Sequence, residues 1–248
     1  MRRDSRLAWL RAIGLAVASV LLAFTQASQD AATQPATPAR PNIVLIVADD
    51  LGFADLGFQG CKDIPTPNID ALAKSGVRFT NAYATAPVCA PSRAGLITGR
   101  YQERFGFEFN PEGEDMAELR AISWPNPTLP ETLNSAGYAT GLVGKWGLGN
   151  EGTTGEPVKQ GFDFSFGYLD QTHAHDYYPS NIWRNEQMLW IDGNTNGQKR
   201  VYIHDQFTIA ATNFIHANRN APFFLYLAYT IPHTHNELGR RTGNGMEV

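Results

Sequence analysis

The 248-residue chain is 43% hydrophobic, 11% aromatic and 18% charged, too apolar for a disordered protein, and its two cysteines are too few for a disulfide scaffold. The formal charge of −4 conceals a basic start: beyond residue 28, 16 basic residues face 23 acidic ones, because Arg2, Arg3, Arg6 and Arg11 all lie before that point. So acidic a chain gives little support to a nucleic-acid partner, which would want a basic face, and none is expected.

Three arginines in residues 1–6 precede a mainly apolar run, Leu7–Phe24, interrupted by Arg11 and followed by small residues around Ala27 and Ser28. This layout predicts a signal peptide over residues 1–28 and an exported protein, periplasmic or secreted. The uninterrupted stretch Ala12–Phe24 is too short to span a bilayer comfortably, so no stable membrane span is expected. Residues 29–40, rich in Ala, Thr, Gln and Pro, read as a linker to a domain over residues 41–248.

Asn42–Ala48 (NIVLIVA) is a continuous apolar run, which predicts a strand buried on both faces in a parallel sheet. Thr66-Pro67 predicts a helix N-terminus, Ile69, Leu72 and Ala73 follow at helical spacing, and Gly76 ends the run. Val77–Ala84 is strand-like, Pro91–Thr98 and Pro130–Ala136 read as short helices, and Tyr138–Val143 as a strand. A helix over His204–Asn218 carries Phe207, Ala211, Phe214 and Ile215 on one stripe, before the aromatic strand Phe223–Tyr229. Phe105–Trp124 and Asn150–Arg200 are rich in Gly, Asn and Pro and read as long, site-shaping loops. Strands alternating with helices predict an α/β sandwich with a largely parallel central sheet flanked by helices.

Asp49 and Asp50 directly follow the first strand, at the edge where open α/β sheets place ligands. Two adjacent carboxylates suit Ca²⁺ or Mg²⁺ better than zinc, although Asp-Asp before Leu-Gly also fits a solvated turn. Asp55, on the same loop, reads either as a further outer carboxylate or as a surface residue. Cys89-Ala90-Pro91-Ser92-Arg93 places a cysteine just before a helix whose free N–H groups favour an anion, with Arg93 one turn on. Cys89 alone also reads as a small buried hydrophobe, or as a disulfide partner of Cys61.

Cys89-Ala90-Pro91-Ser92-Arg93, with Thr98-Gly99 four residues beyond it, resembles the type I sulfatase signature. The resemblance extends to Pro41-Asn42-Ile43 with Asp49-Asp50, to Thr66–Asp70, to Gly137-Tyr138 through Gly144-Lys145-Trp146, and to Pro222–His233. It implies an alkaline-phosphatase-like fold, a metal that is usually Ca²⁺, and hydrolysis of sulfate esters, plausibly of sulfated carbohydrates. It further implies that Cys89 is oxidised by a formylglycine-generating enzyme to an aldehyde, whose hydrate attacks sulfur with one hydroxyl and expels sulfate with the other. Asp49, Asp50 and the converted Cys89 would hold the metal. Arg93 would hold the formylglycine hydroxyl, Lys145 would bridge it to the sulfate, and His233 would bind sulfate or protonate the leaving oxygen.

Two departures stand out. The family commonly has Gly-Lys-Trp-His-Leu-Gly, but this chain has Gly144-Lys145-Trp146-Gly147-Leu148-Gly149. His173 and His175 are candidate replacements, because residues two apart in an extended stretch face the same side; the other reading is two solvated loop histidines. The family's later Asp-Asn metal ligands and second lysine also have no counterpart in Asn236–Val248, so the chain reads as the amino-terminal portion of a sulfatase. Two alternatives remain: a phosphate or phosphonate ester hydrolase of the same superfamily, and an inactive sulfated-glycan-binding module.

Overall fold

A computed structural model of the protein describes residues 40–111, 122 and 127–234. The expected signal peptide, nearly all of the linker, most of the later half of Phe105–Trp124 and the tail Asn236–Val248 lie outside the described residues.

Among the described residues six strands form one sheet: β1 (Ile43–Asp49), β2 (Ala139–Lys145), β3 (Phe164–Tyr168), β4 (Asn181–Arg184), β5 (Gln187–Trp190) and β6 (Phe223–Pro232). Their order is β1-β6-β2-β3-β4-β5. The first four in that order run parallel, and β4 and β5 add an antiparallel hairpin. The helices are α1 (Pro67–Ser75), α2 (Cys89–Thr98), α3 (Leu129–Ser135) and α4 (Ile203–Ala217). Alternation along a strand sends successive side chains to opposite faces. Phe224, Tyr226 and Ala228 of β6 join Ala90, Ala94 and Ile97 of α2 on one face. Phe223, Leu225 and Leu227 join Phe207, Ala211 and Phe214 of α4 on the other. The result is the expected α/β sandwich with a largely parallel sheet.

Local chemistry sets the helix ends. The capping box that starts α3 pairs the Thr128 hydroxyl with the Glu131 N–H and the Glu131 carboxylate with the Thr128 N–H. Neither α1 nor α2 is capped by its own N-cap side chain. In α2 the Asn110 side chain instead accepts from the Ala90 N–H at 2.9 Å.

Several expectations need correction. β1 is not buried on both faces: among the described strands it lies at the sheet edge, and Val44 and Ile46 are exposed while Ile43, Leu45 and Val47 pack on the core. A continuous apolar run thus misled, because only one face of β1 is covered by described residues. Val77–Ala84 forms no strand; Val77, Phe79 and Tyr83 are more than 80% exposed and find no partner strand among the described residues. Asn150–Arg200 is not one loop but contains β3, β4 and β5. Helix α2 begins at Cys89 itself, so Cys89 is in its first turn rather than before it. On α4, Ile215 is partly exposed and lies off the buried stripe.

Candidate active site

The C-terminal edges of β1, β2 and β6 meet the start of α2, and this junction collects most of the residues singled out from the sequence. β1 delivers Asp49 and β2 delivers Lys145, both buried. His233 follows β6, and Cys89 opens α2. The register between β1 and β6 slips between Val47 and Asp49, at the point where the chain turns toward the site. Asp50 then takes a left-handed φ of 59°, which sends its carboxylate outward, 63% exposed.

Asp49 is the electrostatic hub. Lys145 Nζ donates to its Oδ2 at 2.8 Å, Arg93 Nη2 lies 3.6 Å from the same oxygen, and the Cys89 thiol donates to Oδ1 at 3.4 Å. Burial works against ionisation of Asp49, but the Arg93 and Lys145 charges overcome it and hold the carboxyl below its usual range. For Cys89, burial pushes the thiol up; Lys145 pulls the other way, and Asp49 and Asp50 add to the rise. The thiol is therefore held protonated, an environment opposite to that of a thiolate nucleophile. Arg93 is buried and donates to the Lys145 carbonyl at 2.7 Å and to the Tyr226 hydroxyl at 3.4 Å, which ties α2 to β2 and β6.

The two loop histidines part company. Residues 173–175 form a turn of 3-10 helix rather than an extended stretch, so they do not share a side. His175 is buried, with Nε2 3.2 Å from Lys145 Nζ. An ammonium group only donates, so this nitrogen accepts and the neutral imidazole carries its hydrogen on Nδ1. His173 instead packs edge-on against Tyr168, 5.0 Å between ring centroids, and is not brought to the cluster. His175 stacks on His233, with centroids 4.1 Å apart.

His233 Nδ1 lies against the Thr234 carbonyl, which can only accept, so Nδ1 bears a hydrogen and Nε2 keeps its lone pair in the neutral ring. That lone pair faces Asp50 Oδ2 at 3.2 Å, an arrangement that calls for a proton or a cation between them. Ligand atoms of Asp50, Cys89 and His233 lie within 4.8 Å of one another, so these three residues form a candidate metal site. The sequence reading puts Asp49, Asp50 and Cys89 there; Asp49 Oδ1 lies 3.4 Å from Cys89 Sγ while its Oδ2 is held by Lys145, and His233 comes up beside Asp50. Asp55 stays outside it, its carboxylate accepting from the Gly52 N–H at 2.8 Å. Cys61 and Cys89 are both free thiols, so the disulfide alternative is not realised.

Gly147 has a φ of 76°, and a Cβ placed on it would meet Gln171 Oε1 at 2.5 Å and Ala90 Cβ at 3.9 Å. The space of a side chain at 147 is thus filled by Gln171, a residue the sequence reading missed. Its only sequence signal was indirect: the glycine at 147 announces that something else must fill that space.

Residues 41–244 match the sulfatase family model. Arylsulfatase J of Mus musculus is 34% identical over 207 residues, covering 79% of this chain and 33% of the relative. The crystal structure of Ps i-CgsB in complex with k-i-k-neocarrahexaose aligns with a TM-score of 0.68 at 38% identity, covering 79% of this chain and 46% of that one. That of BT4656 in complex with its substrate D-glucosamine-2-N,6-O-disulfate aligns at 0.64 and 31%, covering 78% and 35%. The chain thus spans about a third of the length of the curated relative. No helix among the described residues is long and apolar enough to cross a membrane.

Proposed function

Because the chain belongs to the sulfatase family, we propose that the protein hydrolyses sulfate esters and that its substrates are sulfated saccharides. The observation that carries this reading is the convergence of Cys89, Arg93, Lys145, His175 and His233 around Asp49 and Asp50 at one sheet edge. The saccharide ligands of two structural neighbours support the substrate class.

The roles follow from the donors each residue has to spare. Cys89 is the residue for conversion to formylglycine by a formylglycine-generating enzyme, and the hydrated aldehyde supplies the nucleophilic hydroxyl. A divalent cation, Ca²⁺ or Mg²⁺, fits beside it: Asp50 offers carboxylate oxygens, and conversion of residue 89 replaces a soft sulfur by a hard oxygen. Asp49 would reach the same cation from its Oδ1 side, since its Oδ2 is occupied by Lys145. Lys145 spends one donor on Asp49 and one on His175 and keeps the third for a sulfate oxygen. Arg93 acts at the base of the site, fixing Lys145 and the start of α2 so that positive charge is already in place where negative charge develops. His175 and His233 line the side where the sugar oxygen departs, and one of the stacked pair protonates it. His173 has no part in this assignment. The leader at residues 1–28 delivers the protein to the periplasm or the exterior.

The test is sulfate release. Protein co-produced with a formylglycine-generating enzyme is assayed on sulfated mono- and disaccharides and on matched phosphate esters. Release of sulfate well above release of phosphate supports the proposal; preference for phosphate would move the protein to the phosphate-ester branch of the superfamily.

A further inference from the structure

Gln171 lies in the loop between β3 and the turn that carries His175. Its side chain is 2% exposed, yet neither Oε1 nor Nε2 has a hydrogen-bond partner among the described residues. A buried carboxamide with donor and acceptor both unmade is expensive, whichever way the amide is turned, and folded proteins seldom leave such a group unpaired. Its location narrows the ligand. The loop is tied down by the Trp146 N–H donating to the Tyr168 carbonyl and the Gly147 N–H donating to the Leu169 carbonyl. These bonds set the carboxamide over Gly147, two residues past Lys145, beside Ala90 in the first turn of α2. That turn has a positive dipole end, and Lys145 adds a full charge with one donor to spare. The local chemistry calls for a tetrahedral oxyanion.

We propose that Gln171 is a hydrogen-bonding arm of the sulfate site, donating from Nε2 to an oxygen of the same anion that Lys145 holds. The inference rests on the sulfatase reading and adds a residue to it. Gly147 and Gln171 are then one device: the glycine opens the room, and the carboxamide of a neighbouring loop fills it. The arm is neutral and does not titrate, so its contribution to anion binding is constant across the pH range in which the protein is folded.

The test uses the full chain with unconverted Cys89, the variant Gln171→Met, and inorganic sulfate as probe. Methionine keeps the length of the side chain and removes both polar atoms. Calorimetry is expected to show sulfate binding to the parent and a roughly ten- to hundredfold weaker affinity in Gln171→Met, the scale of one hydrogen bond to a charged group. The ligand-free melting temperature of the variant is expected to be equal to or above that of the parent, because an unmade buried pair is gone. A second variant, Gln171→Glu, keeps the shape but sets a negative charge against the anion, and is expected to bind sulfate more weakly still. Parent-like sulfate affinity in Gln171→Met overturns the proposal. So does a lowered melting temperature with affinity unchanged, which marks a purely structural residue, and so does a parent that binds no sulfate. Ester turnover of the converted protein separates the two claims. Turnover in the parent with unaltered kcat and KM in Gln171→Met sinks Gln171 alone. Sulfate binding that depends on Gln171 in a protein without ester turnover sinks the sulfatase reading and leaves the anion site standing.

Discussion

His175 and His233 lie face to face, ring centroids 4.1 Å apart and planes within 9° of parallel, with His175 also in contact with Lys145. One ring comes from the loop after β3 and the other from the end of β6, so the stack joins two segments 58 residues apart at the candidate site.

That geometry separates the two loop histidines. In the converted protein, His175→Ala is expected to lower kcat by about a hundredfold to ten-thousandfold, the usual range for general acid–base help, with a smaller change in KM. His173→Ala should leave kcat near the parent value, since His173 packs on Tyr168. Steady-state kinetics with the order reversed would contradict the placement of His175, rather than His173, at the site. Placing histidine at Gly147 is not expected to rescue His175→Ala by itself, because Gln171 holds that space.

The buried pair of Lys145 and Asp49 gives a stability prediction. Lys145→Met leaves Asp49 buried with Arg93 as its remaining close cation, and removing one partner of a buried pair costs about 3–5 kcal/mol. The double variant Lys145→Met, Asp49→Leu is expected to recover much of that loss, since apolar replacement of both partners is often neutral. Denaturant unfolding measures both; a double variant no better than the single contradicts the assignment of Asp49 as the charge that Lys145 neutralises.

His204 predicts a pH dependence away from the candidate metal site. It is buried at the start of α4 among Tyr177, Tyr202 and Phe207, with Nε2 2.8 Å from the Thr230 hydroxyl, and burial pushes its pKa down from 6.5 to about 4. Between these values the unfolded chain binds the proton and the fold does not, so stability falls as pH drops through this window. The full loss is about 3 kcal/mol, from a shift worth 1.36 kcal/mol per unit. The difference in unfolding free energy between parent and His204→Gln should therefore shrink as pH falls from 6.5 to 4. A constant difference across that range contradicts the buried neutral histidine.

Metal affinity follows from the donor count. Ca²⁺ takes about six to eight oxygens, and the two carboxylates at the tip of β1 supply four at most, with Asp49 partly committed to Lys145. Calorimetry on the 248-residue protein is expected to show weak Ca²⁺ binding that Asp50→Asn abolishes. Tight binding unchanged in Asp50→Asn would place the cation elsewhere.

Much of this arrangement was legible in the sequence, for identifiable reasons. Helices with a proline near their start lie within two residues of where the sequence puts them, because that signal is local: Pro67 and Gly76 bound α1 as expected, and the short helices expected over Pro91–Thr98 and Pro130–Ala136 are α2 and α3. Asp49, Cys89, Arg93, Lys145 and His233 were legible as a set because each belongs to a short motif, and the structure brings all five together with Asp50. Relations set by packing were not legible. Nothing local says that β1 lies at the edge of the described sheet, or that residues 173–175 coil into a 3-10 turn that sends one histidine to Lys145 and the other to Tyr168. Gln171 lay beyond reach for the same reason: its meaning comes from Gly147, 24 residues earlier, which it meets only in the fold.

The central claim is that residue 89 carries the reaction, and one paired measurement tests it most directly. Protein is prepared with graded amounts of a formylglycine-generating enzyme. Mass spectrometry of the peptide containing residue 89 gives the fraction present as aldehyde rather than thiol, and sulfate release from a sulfated saccharide is measured on the same samples. Turnover is expected to rise in proportion to the aldehyde fraction and to vanish in Cys89→Ala. Full conversion of Cys89 without sulfate release, or equal release from unconverted and Cys89→Ala protein, would contradict the account.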